Sequence, residues 1–380
     1  MTIRTRRLLD LYTDYFLISF GQATATGLAA LLPQVVSHDQ VTRFLSNNEF
    51  DGKDLWKVVK PHVHEMQSED GCLIFDDTIE EKPYTDSNEL IGTYFDHVTN
   101  RYVKGVNILT GLYYSRDIAL LVDFELIQKT KWVTDPKTGK ESFQSEETKN
   151  AIMRRMIEGF IRKQVPFRYV LADIWFACVE NMVFIKQKKR KDFVFPLKSN
   201  RRIALSEVDR QNKHFVSVSD SPIPTACKGG TAISSCRRIY LDKVPFPLLL
   251  VASVVTDHEG NSSILYLVMS DLTQVFSPRK HRLDAPAMLA VYKKRWKIEE
   301  FHKSLKSNAA FAKSPTKRVR TQSNHFFASL VAFVKMEALR VTTRLNHFAT
   351  KAKLCQAALA AALERLTEMK KGSELSYITS

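Results

Sequence analysis

The chain has 380 residues, of which 44% are hydrophobic and 10% aromatic, and its formal net charge at pH 7 is +15. This length and apolar content suffice for two or three structural units with buried cores. The charge predicts a polyanionic partner, either a nucleic acid or an anionic membrane surface. The sequence argues against a membrane span, because polar side chains interrupt 17–36 and because 244–255 is short and contains two prolines. We therefore expect a soluble, cytoplasmic protein without membrane association.

The five cysteines are scattered, and none forms a C-x-x-C pair or lies in a histidine cluster with zinc spacing. This pattern predicts reduced thiols and no structural metal. The cysteines are Cys72, Cys178, Cys227, Cys236 and Cys355.

The first 70 residues show helical patterns without strands, and Ser37 is a good N-cap for a helix that starts at His38. These helices either bind DNA or pack as a subdomain. Three apolar runs then follow, at 72–75, 103–114 and 118–126, and they predict an antiparallel meander. The polar stretch 134–150 predicts a loop.

Further along, 150–164 has helical spacing, and the short apolar run 167–172 predicts a buried strand that ends at Asp173. From 192 the chain is rich in strand patterns, and from about 285 it is helical. The fold class is therefore α/β: a mixed sheet flanked by helices and interrupted by a β-rich insertion. The predicted domains are a helical N-terminal domain (1–70), a first core part (71–191), the insertion (192–274), a second core part (275–335) and a helical C-terminal segment (336–380).

Acidic residues stand where such a fold places chemistry. Asp76 and Asp77 follow the first apolar run, Asp173 ends a second one, and Glu299 lies in a basic segment. Mg²⁺ prefers a few carboxylates together with water and phosphate oxygens, and two such ions support phosphoryl transfer. A single aspartate after a strand is more often a turn former or helix cap. The combination with the high positive charge nevertheless favours an enzyme that acts on DNA or RNA.

The basic segment 291–306, VYKKRWKIEEFHKSLK, is predicted to form one helix. At about 100° per residue, Tyr292, Arg295, Glu299 and Lys306 fall within an arc of about 60°. A metal held by the glutamate would then lie beside cations that can grip flanking phosphates. A surface ladder of i, i+4 ion pairs would explain the same pattern.

The spacing Y-(2)-R-(3)-E-(6)-K of these four residues resembles the Y-R-E-K signature of bacterial insertion-sequence DDE transposases, in the RNase H-like superfamily. IFDDTIEEKPYT, at 74–85, is similar to their first-Asp motif, and YVLADIWFA, at 169–177, to their second. TQSNHFFASLVAF, at 321–333, resembles a segment that follows their glutamate helix. The resemblance covers roughly 70–335 and implies an RNase H-like core with a β-rich insertion.

The resemblance implies that Asp77, Asp173 and Glu299 are the catalytic residues and the ligands of two Mg²⁺ ions, with Mn²⁺ as a substitute. The position directly before Thr78 favours Asp77 as the first ligand, and Asp76 is the open alternative. It also implies water attack on phosphodiester bonds at the element ends, followed by attack of the freed 3′-OH on target DNA.

By the same resemblance, Tyr292, Arg295 and Lys306 support phosphate and DNA near the cut. The implied partners are double-stranded DNA, as transposon ends and target, and a second copy of the chain, as a homodimer on DNA. The implied location is the bacterial cytoplasm, in association with the nucleoid.

Other groups fit a DNA track. Basic clusters at 186–191, 198–202 and 313–322 flank the acidic motifs, although solvated charged faces are also common. An aromatic residue of the insertion, for which Phe215, Tyr240 and Phe246 are candidates, would suit a base-stacking wedge, although core packing is the more usual role of such residues.

Two other functions stay open. A catalytically silent DNA-binding regulator, or a domesticated relative, would keep the basic surface and not cut. An unrelated metal-dependent nuclease would cut without joining the 3′ end to target DNA.

Overall fold

The computed structural model describes most of the chain. Several sequence predictions fall partly outside the described residues: the side chain of Cys227, parts of the predicted loop 134–150, of the insertion 192–274 and of the second core part 275–335, position 315 of the basic cluster 313–322, and 372–380 of the predicted C-terminal segment. The predicted insertion is described in part. The described residues are 1–96, 99–134, 136, 139, 141–221, 226–228, 231–233, 235–256, 260–273, 276–277, 282–283, 285–314 and 316–371.

Helices dominate both ends of the chain, and strands dominate its middle. The helices are α1 (Ile3–Ile18), α2 (Ala25–Leu31), α3 (His38–Asn47), α4 (Gly52–Met66), α5 (Lys149–Arg162), α6 (Val179–Val183), α7 (Glu207–Gln211), α8 (Ala285–Lys293), α9 (Trp296–Asn308), α10 (Val319–Thr343) and α11 (His347–Lys371), with a 3₁₀ turn at Ile174–Phe176 and a π turn at Phe184–Lys188. The strands are β1 (Cys72–Glu81), β2 (Gly92–Asp96), β3 (Arg101–Ser115), β4 (Ile118–Leu126), β5 (Lys131–Thr134), β6 (Glu141–Gln144), β7 (Tyr169–Ala172), β8 (Asp192–Leu197), β9 (Arg202–Ala204), β10 (Val216–Ser217), β11 (Ala226–Lys228), β12 (Thr231–Ile233), β13 (Ser235–Leu241), β14 (Leu248–Thr256), β15 (Ser262–Met269), β16 (Phe276–Ser277) and β17 (Arg282–Leu283).

The chain divides into two compact units, and the divisions fall inside α4, β1, β3 and α9. Unit one comprises Met1–Val59, Ile79–Asn107 and Phe301–Ser380. Unit two comprises Lys60–Thr78 and Ile108–Glu300.

A mixed sheet forms the framework of unit two. Its central strands β1, β7 and β8 run parallel, and β15, β14 and β13 extend it antiparallel beyond β8. β7 is buried along its whole length, as is the start of β1, because a central parallel strand is covered on both faces. On the other side of β1, β3 pairs antiparallel with β4. This mixed sheet confirms the predicted α/β class, and strands from the predicted insertion add to the same sheet.

Two local predictions were wrong. β1 does not end before the aspartates; it continues through Asp76 and Asp77 to Glu81, because pairing with β3 satisfies the backbone there. The predicted loop 134–150 contains β6, which pairs with β5 in a hairpin. Trp132 and Phe143 face each other across that hairpin with ring centroids 4.6 Å apart, a cross-strand pair that favours pairing over a loop.

Unit one contains the long buried helix α10, against which α1 and α3 pack. Ser37 caps α3 in a reciprocal capping box with Gln40, so the predicted N-cap is confirmed. At the C-terminal end of α1, the Lys351 ammonium donates to the carbonyl oxygens of Phe16, Leu17 and Ser19 at 3.1, 2.6 and 3.1 Å. A cation at this position satisfies carbonyls that lack intrahelical partners and complements the helix dipole. Among the described residues, no helix has the length and apolar character needed to cross a membrane.

His325 of α10 is a buried neutral histidine. Its Nε2 donates to the carbonyl oxygen of Ala310 at 2.9 Å, which leaves Nδ1 to accept from the Tyr12 hydroxyl at 3.1 Å. Burial lowers the pKa of His325 to about 4, from an ordinary value of 6.5. Between these two pH values the unfolded chain therefore binds a proton that the folded chain does not.

This histidine makes unit one sensitive to acid. Because the unfolded state binds more protons, stability falls as the pH drops from 6.5 toward 4, and we expect a loss of about 2–3 kcal/mol between pH 7.5 and 4.5. Urea unfolding at both pH values measures it. In His325→Gln, whose amide can donate to Ala310 and accept from Tyr12 without titrating, the loss should be smaller by that amount. Equal losses in both proteins would show that His325 is not responsible.

Candidate active site

The parallel pairing of β1 and β7 brings two aspartates to one edge of the sheet in unit two. The last registered pair of the two strands is Phe75 with Ala172, so Asp76 and Asp173 are the next residues after that pair. Carboxyl ends of parallel strands meet at the same edge, which is where α/β folds place ligands. The Asp76 side chain is only 14% exposed. Asp173 also caps the following 3₁₀ turn, because its Oδ1 accepts from the Trp175 amide at 2.9 Å.

The segment that carries the glutamate is not one helix, so this prediction was wrong. α8 ends at Lys293 and α9 begins at Trp296. At the junction, the amides of Lys294 and Arg295 bond three residues back, to the carbonyls of Val291 and Tyr292. These i→i−3 bonds tighten the chain and change the rotation per residue from the α-helical 100°. The uniform arc derived from the sequence therefore does not apply across the junction.

Arg295 lies between two of the acids. Its Nη1 contacts Glu299 Oε1 at 3.1 Å and lies 3.9 Å from Asp76 Oδ2. Its guanidinium carbon lies 5.6 Å from the centroid of the Tyr292 ring. Among the described residues, its buried Nε has no hydrogen-bond partner. The side chain thus fixes the glutamate beside Asp76.

The acids form an electrostatically crowded cluster. Burial, then the charges of Asp173, Asp77 and Glu299, raise the pKa of Asp76 to about 8, against the opposing effect of Arg295. Burial also raises the pKa of Asp173, although the hydrogen bond from the Trp175 amide acts in the opposite direction. Carboxylate oxygens of Asp76 and Glu299 lie within 4.8 Å of one another. Crowded carboxylates of this kind mark a place where a cation would relieve the repulsion.

Asp77 has a different environment from Asp76. Its carboxylate accepts from the Lys149 ammonium at 2.5 Å, and both side chains are largely buried, with exposures of 19% and 25%. Successive strand residues point to opposite faces, which is consistent with these separate partners. Sequence reasoning missed Lys149, because nothing near it marks it among the 56 basic residues of the chain.

Sequence reasoning also passed over His302, although a signal was present. The residues Glu299-Glu300-Phe301-His302 form a Glu-x-x-His pattern, which places a carboxylate and an imidazole one turn apart on a helix. The histidine is 8% exposed.

The structure places most of the predicted site residues in unit two: Asp76, Asp77, Asp173, Tyr292, Arg295 and Glu299. Lys306 belongs to unit one, where its ammonium donates to the carbonyl oxygen of Ile79 at 2.8 Å.

The basic clusters serve partly internal roles. In the first cluster, Lys186 pairs with Asp192 at 2.6 Å, Lys189 with Glu158 at 2.8 Å, and Lys191 donates to the Phe167 carbonyl at 2.7 Å. Of the candidate stacking aromatics in the insertion, Tyr240 is buried and the rings of Phe215 and Phe246 are half-buried.

Comparison with known families decides the identity. The profile of a family described as "DDE superfamily endonuclease" matches residues 1–214, and that of "Transposase DDE domain" matches residues 143–334. Each match covers more than half of the chain. The chain belongs to the DDE transposases. This DDE transposase also resembles a solved structure, the piggyBac transposase synaptic complex with hairpin DNA, with 12% sequence identity, a TM-score of 0.49, and coverage of 97% of this chain and 73% of that chain. No curated protein matches it.

A DDE transposase is a metal-dependent DNA endonuclease, and the site of this one fits a divalent cation. The donors are carboxylate oxygens, which hard cations prefer. Burial and three neighbouring acids raise the pKa of Asp76, and a bound cation would offset the repulsion among these carboxylates.

Proposed function

We propose that this DDE transposase binds the ends of a mobile DNA element, hydrolyses phosphodiester bonds there with Mg²⁺, and joins the freed 3′-OH ends to target DNA. The observation that carries the proposal is that Asp76 lies near Glu299 and Arg295 in unit two, while Asp173 directly follows the strand that pairs in parallel with β1. Carboxylates from two strands and a helix, next to a guanidinium, match the needs of phosphoryl transfer.

Asp76, Asp173 and Glu299 would hold the Mg²⁺ ions, of which we expect two. When bound, the ions supply Lewis-acid activation of the phosphate and the attacking oxygen. Asp76 is proposed as the first ligand, since its carboxylate lies near Glu299 and Arg295 while Asp77 is held by Lys149. The motif-based assignment to Asp77 stays a prediction. The variants Asp76→Asn and Asp77→Asn test both assignments.

The reaction has two displacement steps. In the first, a water oxygen attacks phosphorus, the bond to the 3′ oxygen breaks, and a 3′-OH and a 5′-phosphate result. In the second, that 3′ oxygen attacks a target phosphate and the target's own 3′ oxygen leaves. The positive charge of Arg295, beside Asp76 and Glu299, would attract a phosphate oxygen to the site, and Tyr292 packs against its guanidinium.

The proposed partners are double-stranded DNA, as element ends and as target, and a second copy of the chain bound to the other end. The net charge of +15 supports a polyanionic partner. We place this activity at the bacterial nucleoid, with Mn²⁺ able to replace Mg²⁺. A silent DNA-binding regulator is the alternative.

A joining assay tests the proposal. A labelled duplex made from the DNA that flanks the coding sequence is incubated with the protein, a target plasmid and Mg²⁺, Mn²⁺ or EDTA. We expect cleavage and joined plasmid product with either metal and neither product in EDTA. Cleavage without joining would indicate a nuclease, and binding without cleavage would indicate a silent regulator.

A further inference from the structure

A cavity of about 290 Å³ opens in unit two directly beyond Asp173. Its volume lies near the lower end of the range for small-molecule sites, roughly 300 Å³. The lining is mixed: Ile174, Trp175 and Leu197 are apolar, and Lys198 and Arg201 are cationic. An apolar wall with two cations suits a ligand that has a flat apolar part and a negative charge.

Trp175 is the main aromatic surface of this cavity. In the 3₁₀ turn after Asp173, Phe176 is fully buried, whereas Ile174 and Trp175 are 38% and 54% exposed. The ring of Trp175 is therefore within reach of a ligand in the cavity that it lines. The hydrogen bond from the Trp175 backbone amide to the Asp173 carboxylate also fixes the Trp175 backbone relative to that carboxylate.

Two cations line the same cavity as Trp175. The Lys198 ammonium lies 5.8 Å from the centroid of the Trp175 ring, at the outer limit of a cation–π contact. Arg201 follows one turn of chain later and lines the same cavity. Stacking on an aromatic ring together with backbone contacts from cations is how proteins hold single-stranded nucleic acid.

We propose that this cavity holds one unpaired nucleotide of a DNA strand, with the base on the Trp175 ring and the phosphate at Lys198 and Arg201. The choice of DNA rests on the proposed function. The site differs from the aromatic residues of the insertion that the sequence suggested, because those are buried or half-buried, whereas Trp175 is exposed beside Asp173.

Single-strand binding tests the proposal without cleavage. The probe is a dye-labelled thymidine oligonucleotide of about eight nucleotides, in EDTA, read by fluorescence anisotropy. Trp175→Ala should weaken binding about tenfold, whereas Trp175→Phe should keep most of the affinity because it retains a stacking face. Trp132→Ala is the matched control, since Trp132 is also a half-exposed tryptophan of unit two, at 52%. Lys198→Met and Arg201→Met should each weaken binding and reduce the salt dependence by about one phosphate contact.

The outcomes separate this site from the enzyme's function. Unchanged binding by Trp175→Ala, with thermal unfolding as in the unaltered protein, overturns the proposal. So does an equal loss for the single strand and for a duplex of the same length, since an unpaired nucleotide is then not what the cavity selects. If the unaltered protein performs cleavage and joining but Trp175→Ala binds single strands normally, only the nucleotide site fails. If it performs neither, the proposed function fails, and the single-strand result still decides the site.

Discussion

Glu299→Gln is expected to lower the rate of end cleavage by about 10³-fold or more while leaving DNA binding within about twofold. The substitution keeps the size and the hydrogen-bonding reach of the side chain and removes its charge. A lost carboxylate ligand removes several kcal/mol of transition-state stabilisation, and each 1.36 kcal/mol is a factor of ten in rate. Single-turnover cleavage of the labelled end duplex and anisotropy binding to the same duplex measure the two effects.

Glu300→Gln is the matched control. Glu300 is the neighbouring carboxylate on α9, is 54% exposed, and pairs with Lys297 at 3.0 Å in an exposed ion pair of little energetic weight. We expect it to cleave at close to the normal rate. If both variants cleave normally, Glu299 does not hold a catalytic metal. If both lose DNA binding, the effect comes from the helix surface and not from the proposed site.

The second large effect separates the two adjacent aspartates. Asp76→Asn should lower cleavage by about 10³-fold and weaken Mn²⁺ binding, because it removes a carboxylate that lies within 4.8 Å of Glu299. Asp77→Asn should have a smaller effect on cleavage, about tenfold, because this carboxylate is already neutralised by Lys149. Mn²⁺ binding, followed by electron paramagnetic resonance of the free ion, gives a measurement that does not depend on turnover.

The opposite ranking would assign the first ligand to Asp77. In that case the Lys149 ammonium occupies the place of the metal in the metal-free protein, and Lys149→Met should tighten Mn²⁺ binding. Equal losses in both variants, with normal Mn²⁺ binding, would contradict a ligand role for either residue.

Much of the site could be predicted because its signals are local. An apolar run that stops at an acidic residue was enough to mark Asp76, Asp77 and Asp173, and their meeting follows from parallel pairing. The residues themselves could not decide between Asp76 and Asp77, although the motif resemblance favoured Asp77, because the two side chains are told apart by partners distant in sequence. Lys149 lies 72 residues from Asp77, and no local pattern announces such a contact.

The break between α8 and α9 was also beyond sequence reasoning. The residues at the break are Lys294 and Arg295 and not proline or glycine, so the usual sequence markers of a helix end are missing. The same limit applies to the sheet. The strand patterns of 192–274 were visible, but their addition to the strand order beyond β8 depends on pairings between distant segments.

The contacts between α1 and the late helices α10 and α11 have a consequence for synthesis on the ribosome. α1 is held by Lys351 at its carboxyl end and by Lys335, which contacts Asp10 and Asp14 at 2.6 Å. These partners are translated more than 300 residues after the helix they hold. The segments of unit two, in contrast, are complete once residue 300 has been added. The unit that carries the acidic cluster can therefore acquire its core while the first helix of the chain still waits for its last contacts.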